Sequence, residues 1–421
     1  MKKITLFLLL LVISNLSYSQ TNVSGSIFTS TKWTTAGSPY IVSGKLVVFE
    51  DALLTIEPGV VVKFNSEASI ELRGTLRAIG NASDSIIFTS NLETPAMNSW
   101  NGIRVIGTTE PIGDGGQVLM EYCKGMYAYR FINLETAYHG PYIFRHCYFS
   151  NNFQVNVDGG MGIIFEYCKF ESNRTALNWS LYSRVSNSSF INNVDGVRGF
   201  RTIDTCYFYG NTGIALEPYG STIGCVIENN NVGVSATFNG DNKIFVDNKI
   251  SNNSVGVEVI TFFNGIINFT GNKICDNMSY NLKYLHYNNA DLSHNDWCSE
   301  DSSYIRSKIY DGYVDNSYGL VKYLPVDTNE VPVVAGIDPL SGEHISAVTV
   351  FPNPFDNKIE IKTDHFSQSE IVLYSMESKR VFQQKFTGSI IINTEDLTNG
   401  IYFYELSSDR GIIKKGKVVK E

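Results

Sequence analysis

The chain has 421 residues with 42 acidic and 33 basic side chains, which gives a formal net charge of −9 at pH 7. An acidic chain is repelled by nucleic acid and by anionic membrane surfaces, so we expect neither as a partner. Its 24 tyrosines, 25 phenylalanines and 35 glycines stand in short β-branched and aromatic runs that Asn and Gly interrupt. This pattern predicts an all-β protein.

The first 19 residues have the features of a secretory signal peptide. Two lysines precede an apolar run from Ile4 to Ile13, and Ser17 and Ser19 stand at the −3 and −1 positions of a cut before Gln20. Removing two lysines and no acid takes the net charge from −9 to −11. No later stretch reaches the roughly 18 apolar residues of a membrane span, so we predict no transmembrane segment in the mature protein.

A repeat of about twenty residues runs through the middle of the chain. Each unit has an aromatic or aliphatic anchor, with Asn two or three positions after it. A period near twenty with short β-runs predicts a solenoid whose coils stack roughly 4.8 Å apart. Leucine-rich repeats have a similar period, but Leu is sparse between residues 120 and 280. The anchors are Phe149, Phe170, Phe190, Phe208, Ile227, Ile250 and Ile274.

The N-terminal coils resemble those of secreted right-handed parallel β-helix proteins of the pectate-lyase-like group. The matching motifs are "LTIEPGVVVKF", "GTLRAIG", "IIFTS" and "WNGIRV", and the segment 294–325 resembles the closing segment of such helices. The resemblance implies a right-handed parallel β-helix over residues 20–324. We expect caps at both of its ends, since a solenoid must protect its open edges.

The C-terminal segment has a different pattern. Residues 325–348 hold three prolines and little periodicity, which indicates a linker, and residues 349–421 alternate at period two, which predicts a small antiparallel β-sandwich. The motifs "FPNP", "IVLYSMESKRV", "LTNGIYFYEL" and "GKVVK" resemble the type A C-terminal sorting domain of the type IX secretion system. The resemblance implies that residues 349–421 engage that machinery and that the protein is secreted or attached to the outer-membrane surface.

Five of the seven cysteines stand two residues before an anchor position: Cys123, Cys147, Cys168, Cys206 and Cys225. Stacked coils would bring such neighbours within disulfide range, yet Ser188, Asn248 and Asn272 fill the same position, which favours a ladder of small buried side chains. Cys275 and Cys298 each follow an anchor by one residue, so alternation predicts that both point outward and could form a disulfide. No cysteine pair has zinc-site spacing, and we predict no metal and no cofactor.

Two candidate surfaces emerge from the predicted register, neither with a confident catalytic residue. On the strand after the Asn bend, Asp158, Asn178, Arg198 and Glu217 could form a substrate-binding face, although any exposed solenoid face collects such residues. One residue before the anchors, Tyr148, Lys169 and Tyr207 are expected to point outward, where aromatic rings and lysines could contact sugars. Both sets of residues are equally consistent with an ordinary solvent-exposed surface that has no ligand.

These observations support two hypotheses of different classes. In the first, the protein is an exported β-helix that acts as a carbohydrate-binding or adhesive scaffold, with polysaccharide as its partner. In the second, it is a polysaccharide lyase or glycoside hydrolase that acts on an acidic polysaccharide through Asp158, Arg198 and Glu217. A lyase needs a base near the sugar, and a hydrolase needs a carboxylate pair.

Overall fold

The structure is a computed structural model. It describes residues 20–107, 116–135, 142–157, 162–238, 243–262, 267–328, 348–363, 369–375, 379–386, 389–408 and 411–420. The predicted signal peptide, most of the predicted linker and the candidate residue Asp158 lie outside these ranges.

The all-β prediction is confirmed, and the larger part of the chain is a parallel β-solenoid of about 11 turns. Each turn contributes strands to three parallel stacks, named here faces A, B and C in chain order. Thr21–Ile27 and Tyr40–Val48 run from face B to face C, and Thr175–Ser186 and Asp195–Asp204 run from face C to face A.

The remaining solenoid strands each belong to one face. Face A contains Thr31–Trp33, Leu53–Ile56, Thr75–Ile79, Gln117–Glu121, Tyr142–Arg145, Ile163–Glu166, Ser221–Ile223, Lys243–Val246 and Ile267–Thr270. Face B contains Val61–Phe64, Ile86–Ser90, Cys123–Met126, Tyr148–Ser150, Lys169–Glu171, Ser189–Ile191, Tyr207–Tyr209, Val226–Glu228, Lys249–Ser251 and Lys273–Cys275. Face C contains Ser69–Leu72, Trp100–Ile106, Ala128–Glu135, Gln154–Val157, Ile214–Glu217, Val232–Phe238, Val255–Phe262, Tyr280–Tyr284 and Ile309–Tyr310.

The predicted anchors form one continuous row inside face B. Phe149 pairs with Phe170, and the same register continues from coil to coil as far as Ile274. The rings of Phe170 and Phe190 are parallel, with centroids 4.7 Å apart, and Phe190 stacks on Phe208 at 4.8 Å. These side chains are fully buried. The sequence repeat therefore arises because each coil must pack the same kind of side chain against the next coil in the core.

Buried asparagines form a hydrogen-bonded ladder at the bend between faces B and C. From Asn152 to Asn253, each side-chain amide donates to the Oδ1 of the Asn in the next coil, and each backbone N–H donates to the same oxygen. The ladder ends where Asn277 makes both bonds to Asn281, four residues later. The residue before each rung from Asn152 to Asn277 has a positive φ, a conformation that Asn and Gly adopt most easily. The rungs are Asn152, Asn173, Asn193, Asn211, Asn230, Asn253, Asn277 and Asn281.

The cysteine position forms the equivalent ladder at the bend between faces A and B. Cys123, Cys147, Cys168, Cys206 and Cys225 are buried free thiols. The later rungs are amides, where Asn248 donates to Asn272 and Asn272 to Asn295. Burial raises the pKa of Cys123, Cys168 and Cys206 well above the ordinary thiol value. These thiols therefore serve as small core side chains of the bend.

The two ends of the solenoid differ. The C-terminal end is covered by the helix Ser302–Ser307 and by the short parallel pair Ala290–Asp291 and Val321–Lys322. The expected N-terminal cap is absent from the described residues, where the solenoid begins directly with the strand Thr21–Ile27. A 3-10 helix, Thr35–Gly37, follows within the first coil.

The C-terminal segment folds as two antiparallel sheets around a common core. One sheet contains Val348–Phe351, Lys358–Thr363 and Ser389–Asn393. The other contains Arg380–Phe386, Ser369–Ser375, Gly400–Ser408 and Gly411–Lys420. Buried Ile359, Ile361, Ile371, Leu373 and Leu406 from the two sheets belong to one hydrophobic cluster, as expected for a small β-sandwich.

Candidate functional site

The polar candidates form a line along face C. Asn178 pairs with Arg198, and Arg198 pairs with Glu217. Arg198 Nε donates to Glu217 Oε2 at 2.7 Å, and its Nη1 lies 3.6 Å from Asp195 Oδ2. Only 11% of the Glu217 side chain is exposed. The arginine is therefore shared by two carboxylates of this line.

The observed register corrects the sequence alignment at Glu217. Alignment of the coils on the repeat would place Glu217 beyond Arg198, level with Asp158 and Phe200, but it lies directly opposite Arg198. Six positions separate Asn211 from Glu217, while five separate Asn193 from Arg198, so the bend before Glu217 contains one more residue. The bend absorbs this residue, so that buried Val197 still pairs with buried Leu216 and Arg198 with Glu217.

The Asn156 side chain connects two neighbouring coils at the point where backbone pairing between their strands stops. The strands Gln154–Val157 and Thr175–Ser186 pair only at Gln154 and Thr175. Beyond this point, Asn156 Nδ2 donates to the Asn178 carbonyl at 3.0 Å, and the Asn178 N–H donates to Asn156 Oδ1 at 2.7 Å. The fully buried amide thus replaces two backbone hydrogen bonds and fixes the chain before Trp179.

Sequence reasoning missed a cluster of aromatic and basic side chains where face C turns to face A. We call Trp179, Tyr182, Arg201, Tyr219 and Lys243 the corner patch. They come from four successive coils: Trp179 and Tyr182 from the first, then Arg201, Tyr219 and Lys243. The three aromatic residues are 36%, 51% and 38% exposed in chain order. The signal was present in "NWSLYSR", because two aromatic residues three positions apart break the period-two alternation of the surrounding strand.

A bulge carries Tyr182 outward. Ser180 pairs with Phe200 and Arg184 with Thr202, so three residues of one strand stand opposite Arg201 alone. A hydrogen bond between the hydroxyls of Ser180 and Ser183 closes the base of this bulge. The Arg201 guanidinium lies 5.5 Å from the centroid of the Tyr182 ring, within the range of a cation–π contact.

Gly199 makes room for Trp179. The glycine has φ 73°, and a Cβ built on it would lie 2.5 Å from Trp179 Cε3. No side chain fits that space while the indole remains there. The indole therefore lies against the backbone of the next coil and keeps more than a third of its surface exposed.

Lys243 lies at the other side of the corner patch. It is buried, its Nζ donates to the Thr237 carbonyl at 3.3 Å, and it lies 4.9 Å from the centroid of the Tyr219 ring. Desolvation lowers the pKa of Lys243 to about 8. Among the described residues no carboxylate forms an ion pair with Lys243 or with Arg201.

The predicted sugar-contacting residues lie in one row of face B, but their polar groups are engaged within the protein. Tyr148 pairs with Lys169, and Tyr148 Oη donates to Glu171 Oε2 at 2.6 Å. Tyr207 is buried, because its hydroxyl donates to Glu228 at 2.9 Å and its ring lies beside Tyr209, the residue two positions further along the same strand. Lys169 lies 3.2 Å from Glu171. The polar groups of this row are therefore less available to a ligand than those of the corner patch.

Cys275 and Cys298 are joined in a disulfide with a Cα–Cα distance of 5.8 Å. Cys275 is buried, while its partner Cys298 is exposed. A carboxylate oxygen of Asp276 lies within 4.8 Å of both sulfur atoms. Both thiolates are used by the disulfide, so this cluster offers a single carboxylate ligand in the oxidised protein.

A second charged cluster surrounds Glu71 near the N-terminal end of face C. The Glu71 side chain is 3% exposed and contacts Lys45 at 2.5 Å, Arg73 at 2.7 Å and Arg104 at 3.1 Å. Burial opposes ionisation, but the hydrogen bonds from Lys45 and Arg73 outweigh it, and the pKa of Glu71 is lowered from 4.5. Arg104 also pairs with Glu135. The two carboxylates therefore neutralise part of the positive charge of the three basic residues in this cluster.

Two family models match parts of the chain. Residues 25–128 match a pectate-lyase like beta helix domain, and residues 349–421 match a secretion system C-terminal sorting domain. No curated protein matches the chain. Among solved structures, the A-module of mannuronan C-5 epimerase AlgE6 from Azotobacter vinelandii has 12% identity and a TM-score of 0.25, over 60% of this chain and 78% of that chain. A TM-score this low carries no argument about function.

Fold and matches together define an exported β-helix protein. The chain contains a parallel β-solenoid whose residues 25–128 match a pectate-lyase-like β-helix domain, followed by a C-terminal secretion sorting domain at residues 349–421, as the sequence motifs predicted. The sorting domain indicates handling by the secretion machinery and a secreted or surface location. Within the described ranges, no helix has the length and hydropathy to cross a membrane.

Proposed function

We propose that the protein is a carbohydrate-binding or adhesive scaffold that uses the corner patch to bind a polysaccharide. The observation that carries this proposal is the exposure of Trp179 and Tyr182 on one coil and of Tyr219 two coils further along, with Arg201 on the coil between them. Aromatic faces of this kind pack against the C–H-rich faces of sugar rings, and each ring brings a large apolar area at a small entropic cost. Trp179 is held by Gly199, so its ring is ordered before any ligand binds.

The charges beside the rings favour an acidic polysaccharide. Arg201 is exposed beside Tyr182, and Lys243 lies under Tyr219. Neither cation has a carboxylate partner among the described residues, in contrast to Arg198, which is bound by Glu217 and Asp195. On a chain of net charge −9, unpaired cations beside stacked rings are suited to the carboxylates or sulfates of an anionic glycan.

The polar line on face C supports binding more than hydrolysis. A glycosidase needs two carboxyl groups flanking the scissile bond, one of them able to donate a proton. Glu217 is largely buried and accepts a hydrogen bond from Arg198, which also neutralises Asp195. Both carboxylates hold Arg198 in position and are therefore poorly suited to act as an acid and base pair. The polar residues on face C can instead offer hydrogen-bond donors and acceptors to a bound polysaccharide.

A second candidate function is a lyase that acts on acidic polysaccharide, and Lys243 is the observation that favours it. A lyase removes a proton from a sugar carbon, and an amine with a pKa of about 8 is partly neutral at mildly alkaline pH. Tyr219 lies beside this amine and could orient a sugar above it. In this reading the corner patch is an active site in which Lys243 is the base.

One experiment separates the two candidates. The chain without its predicted signal peptide is tested against acidic and neutral polysaccharides, with bound ligand measured by calorimetry and unsaturated products measured by ultraviolet absorbance. The scaffold proposal predicts binding without product, and a loss of affinity of about tenfold or more in Trp179→Ala and Tyr219→Ala. Tyr287→Ala is the matched control, since Tyr287 is an exposed aromatic residue that follows the face C strand Tyr280–Tyr284, away from the corner patch in sequence.

The lyase candidate predicts a different outcome. Product would form at mildly alkaline pH and disappear in Lys243→Met, while binding to that variant would persist through the aromatic rings. Binding that is unchanged in both aromatic variants would contradict the role of the corner patch in either function.

A further inference from the structure

The N-terminal end of the solenoid is an open β-edge. Within the described residues, Thr21–Ile27 pairs only with Tyr40–Val48, and Thr31–Trp33 pairs only with Leu53–Ile56. The opposite edges of both strands therefore present backbone N–H and C=O groups without a partner strand. Asn22, Ser24, Gly25 and Ser26 are exposed along this edge.

This edge lacks most of the features that prevent strand pairing in natural proteins. Such edges are usually protected by charged side chains, proline, bulges or a covering helix. Residues 20–31 contain no charged residue and no proline. In the described residues of this edge, two such features are present: an irregularity between Val23 and Gly25, at the corner where the strand passes from face B to face C, and Lys32 in the strand Thr31–Trp33. Each straight segment beside the corner remains free to pair.

An exposed apolar group flanks the same edge. Phe28 directly follows the edge strand and is 67% exposed, and its ring stacks on Phe49 with centroids 4.5 Å apart. The first charged residue, Lys32, is bound to Glu57 at 2.5 Å. The end of the solenoid thus combines unpaired backbone groups, small polar side chains and one aromatic ring, with its nearest charge neutralised.

We infer that two copies of this protein associate through these N-terminal edges as a closed dimer. A two-fold axis perpendicular to the solenoid axis would pair each edge strand with the same strand of the second copy, antiparallel, so that the two solenoids extend in opposite directions. A second copy is favoured because the backbone edge of one strand is self-complementary in antiparallel pairing, and because the one charge on this edge, Lys32, is paired with Glu57, so two such edges meet without an unpaired like charge.

The other end of the solenoid limits the assembly to two copies. The helix Ser302–Ser307 and the pair Ala290–Asp291 and Val321–Lys322 cover the last coil. A head-to-tail filament would have to displace Ile305, Ala290 and Val321 from the core that they share with the solenoid, whereas the isologous contact between two N-terminal edges leaves them in place. The dimer would place two corner patches on one particle, which would strengthen attachment to a repetitive polymer.

The test is the mass in solution of the chain without its predicted signal peptide, measured by light scattering across a wide concentration range. We expect twice the monomer mass for the parent and the monomer mass for Ser24→Lys/Ser26→Lys. Val194→Lys/Asn316→Lys is the matched control, because it adds the same charge at exposed positions in mid-solenoid and at the capped end. This control should stay dimeric.

Circular dichroism checks folding, and Asn22→Glu/Ser24→Glu tests the same edge with the opposite charge. Amide exchange of residues 21–33 should slow with increasing concentration in the parent alone. A monomeric parent at every concentration, a dimer that survives both edge variants, or species that grow beyond two copies would each overturn the inference.

Discussion

Replacing Asn211 by Ala tests the asparagine ladder that supports the bend between faces B and C. The buried side chain of Asn211 donates to the Phe190 carbonyl at 3.0 Å and to Asn230 Oδ1 at 2.8 Å. Its own Oδ1 accepts from the backbone N–H of Asn193 at 3.0 Å and from the Asn193 amide at 3.1 Å. Alanine removes all four hydrogen bonds at once.

The expected loss follows from the groups left behind. The two Asn193 donors and the Phe190 carbonyl lie in a dry bend, and each buried polar group without a partner costs about 1–3 kcal/mol. Because neighbouring groups relax in part, we expect the free energy of unfolding of the solenoid to fall by about 3–5 kcal/mol. Asn231→Ala is the control, since Asn231 is exposed in the same bend, and it should change stability by less than about 0.5 kcal/mol.

Urea unfolding followed by circular dichroism gives the difference, from the shift in midpoint at a common slope. A loss for Asn211→Ala of less than about 1 kcal/mol beyond the control would refute the reasoning, because it would mean that the ladder groups find other partners or reach water. A changed slope would instead show that the coils no longer unfold together.

Three further predictions concern other parts of the solenoid. Gly199→Ala should destabilise by about 1–3 kcal/mol, because the residue has φ 73° and its Cβ would clash with Trp179; iodide quenching of tryptophan fluorescence should change, since the other three tryptophans are buried. The five free thiols should not react with a thiol reagent in the native protein and should all react after unfolding, while Cys275 and Cys298 stay paired; rapid reaction of the folded protein would contradict their burial. The lowered pKa of Glu71 means that its stabilisation is fully present above pH 4.5 and is lost as pH falls through the folded-state value. Glu71→Gln should therefore lower stability at neutral pH and flatten its decline in acid, and an unchanged acid profile would count against the ion cluster.

The repeating core was predictable from the sequence because the same physical requirement recurs in every coil. Phe149 and Phe170 must stack, and the bend beside them must supply a buried amide such as Asn173, so a single register satisfies all the coils. The sorting domain was predictable for a similar reason, since its motifs "FPNP" and "LTNGIYFYEL" are continuous in sequence.

The candidate site was less predictable because it depends on exceptions to the repeat. One inserted residue before Glu217 moved it opposite Arg198, and a bulge after Ser180 carried Tyr182 outward. Neither insertion changes the anchor residues, so the repeat period alone does not predict where the insertions occur. Tyr207 was expected to contact ligand from the surface, but Glu228 in the next coil accepts a hydrogen bond from its hydroxyl and neighbouring side chains cover the ring.

Binding of acidic polysaccharide to the parent, Trp179→Ala and Tyr287→Ala proteins is the measurement that tests the proposed function most directly. The account predicts that the parent and Tyr287→Ala bind with equal affinity and that Trp179→Ala loses about tenfold or more. Equal affinity in all three proteins, or no binding of any polysaccharide to the folded parent, would contradict it.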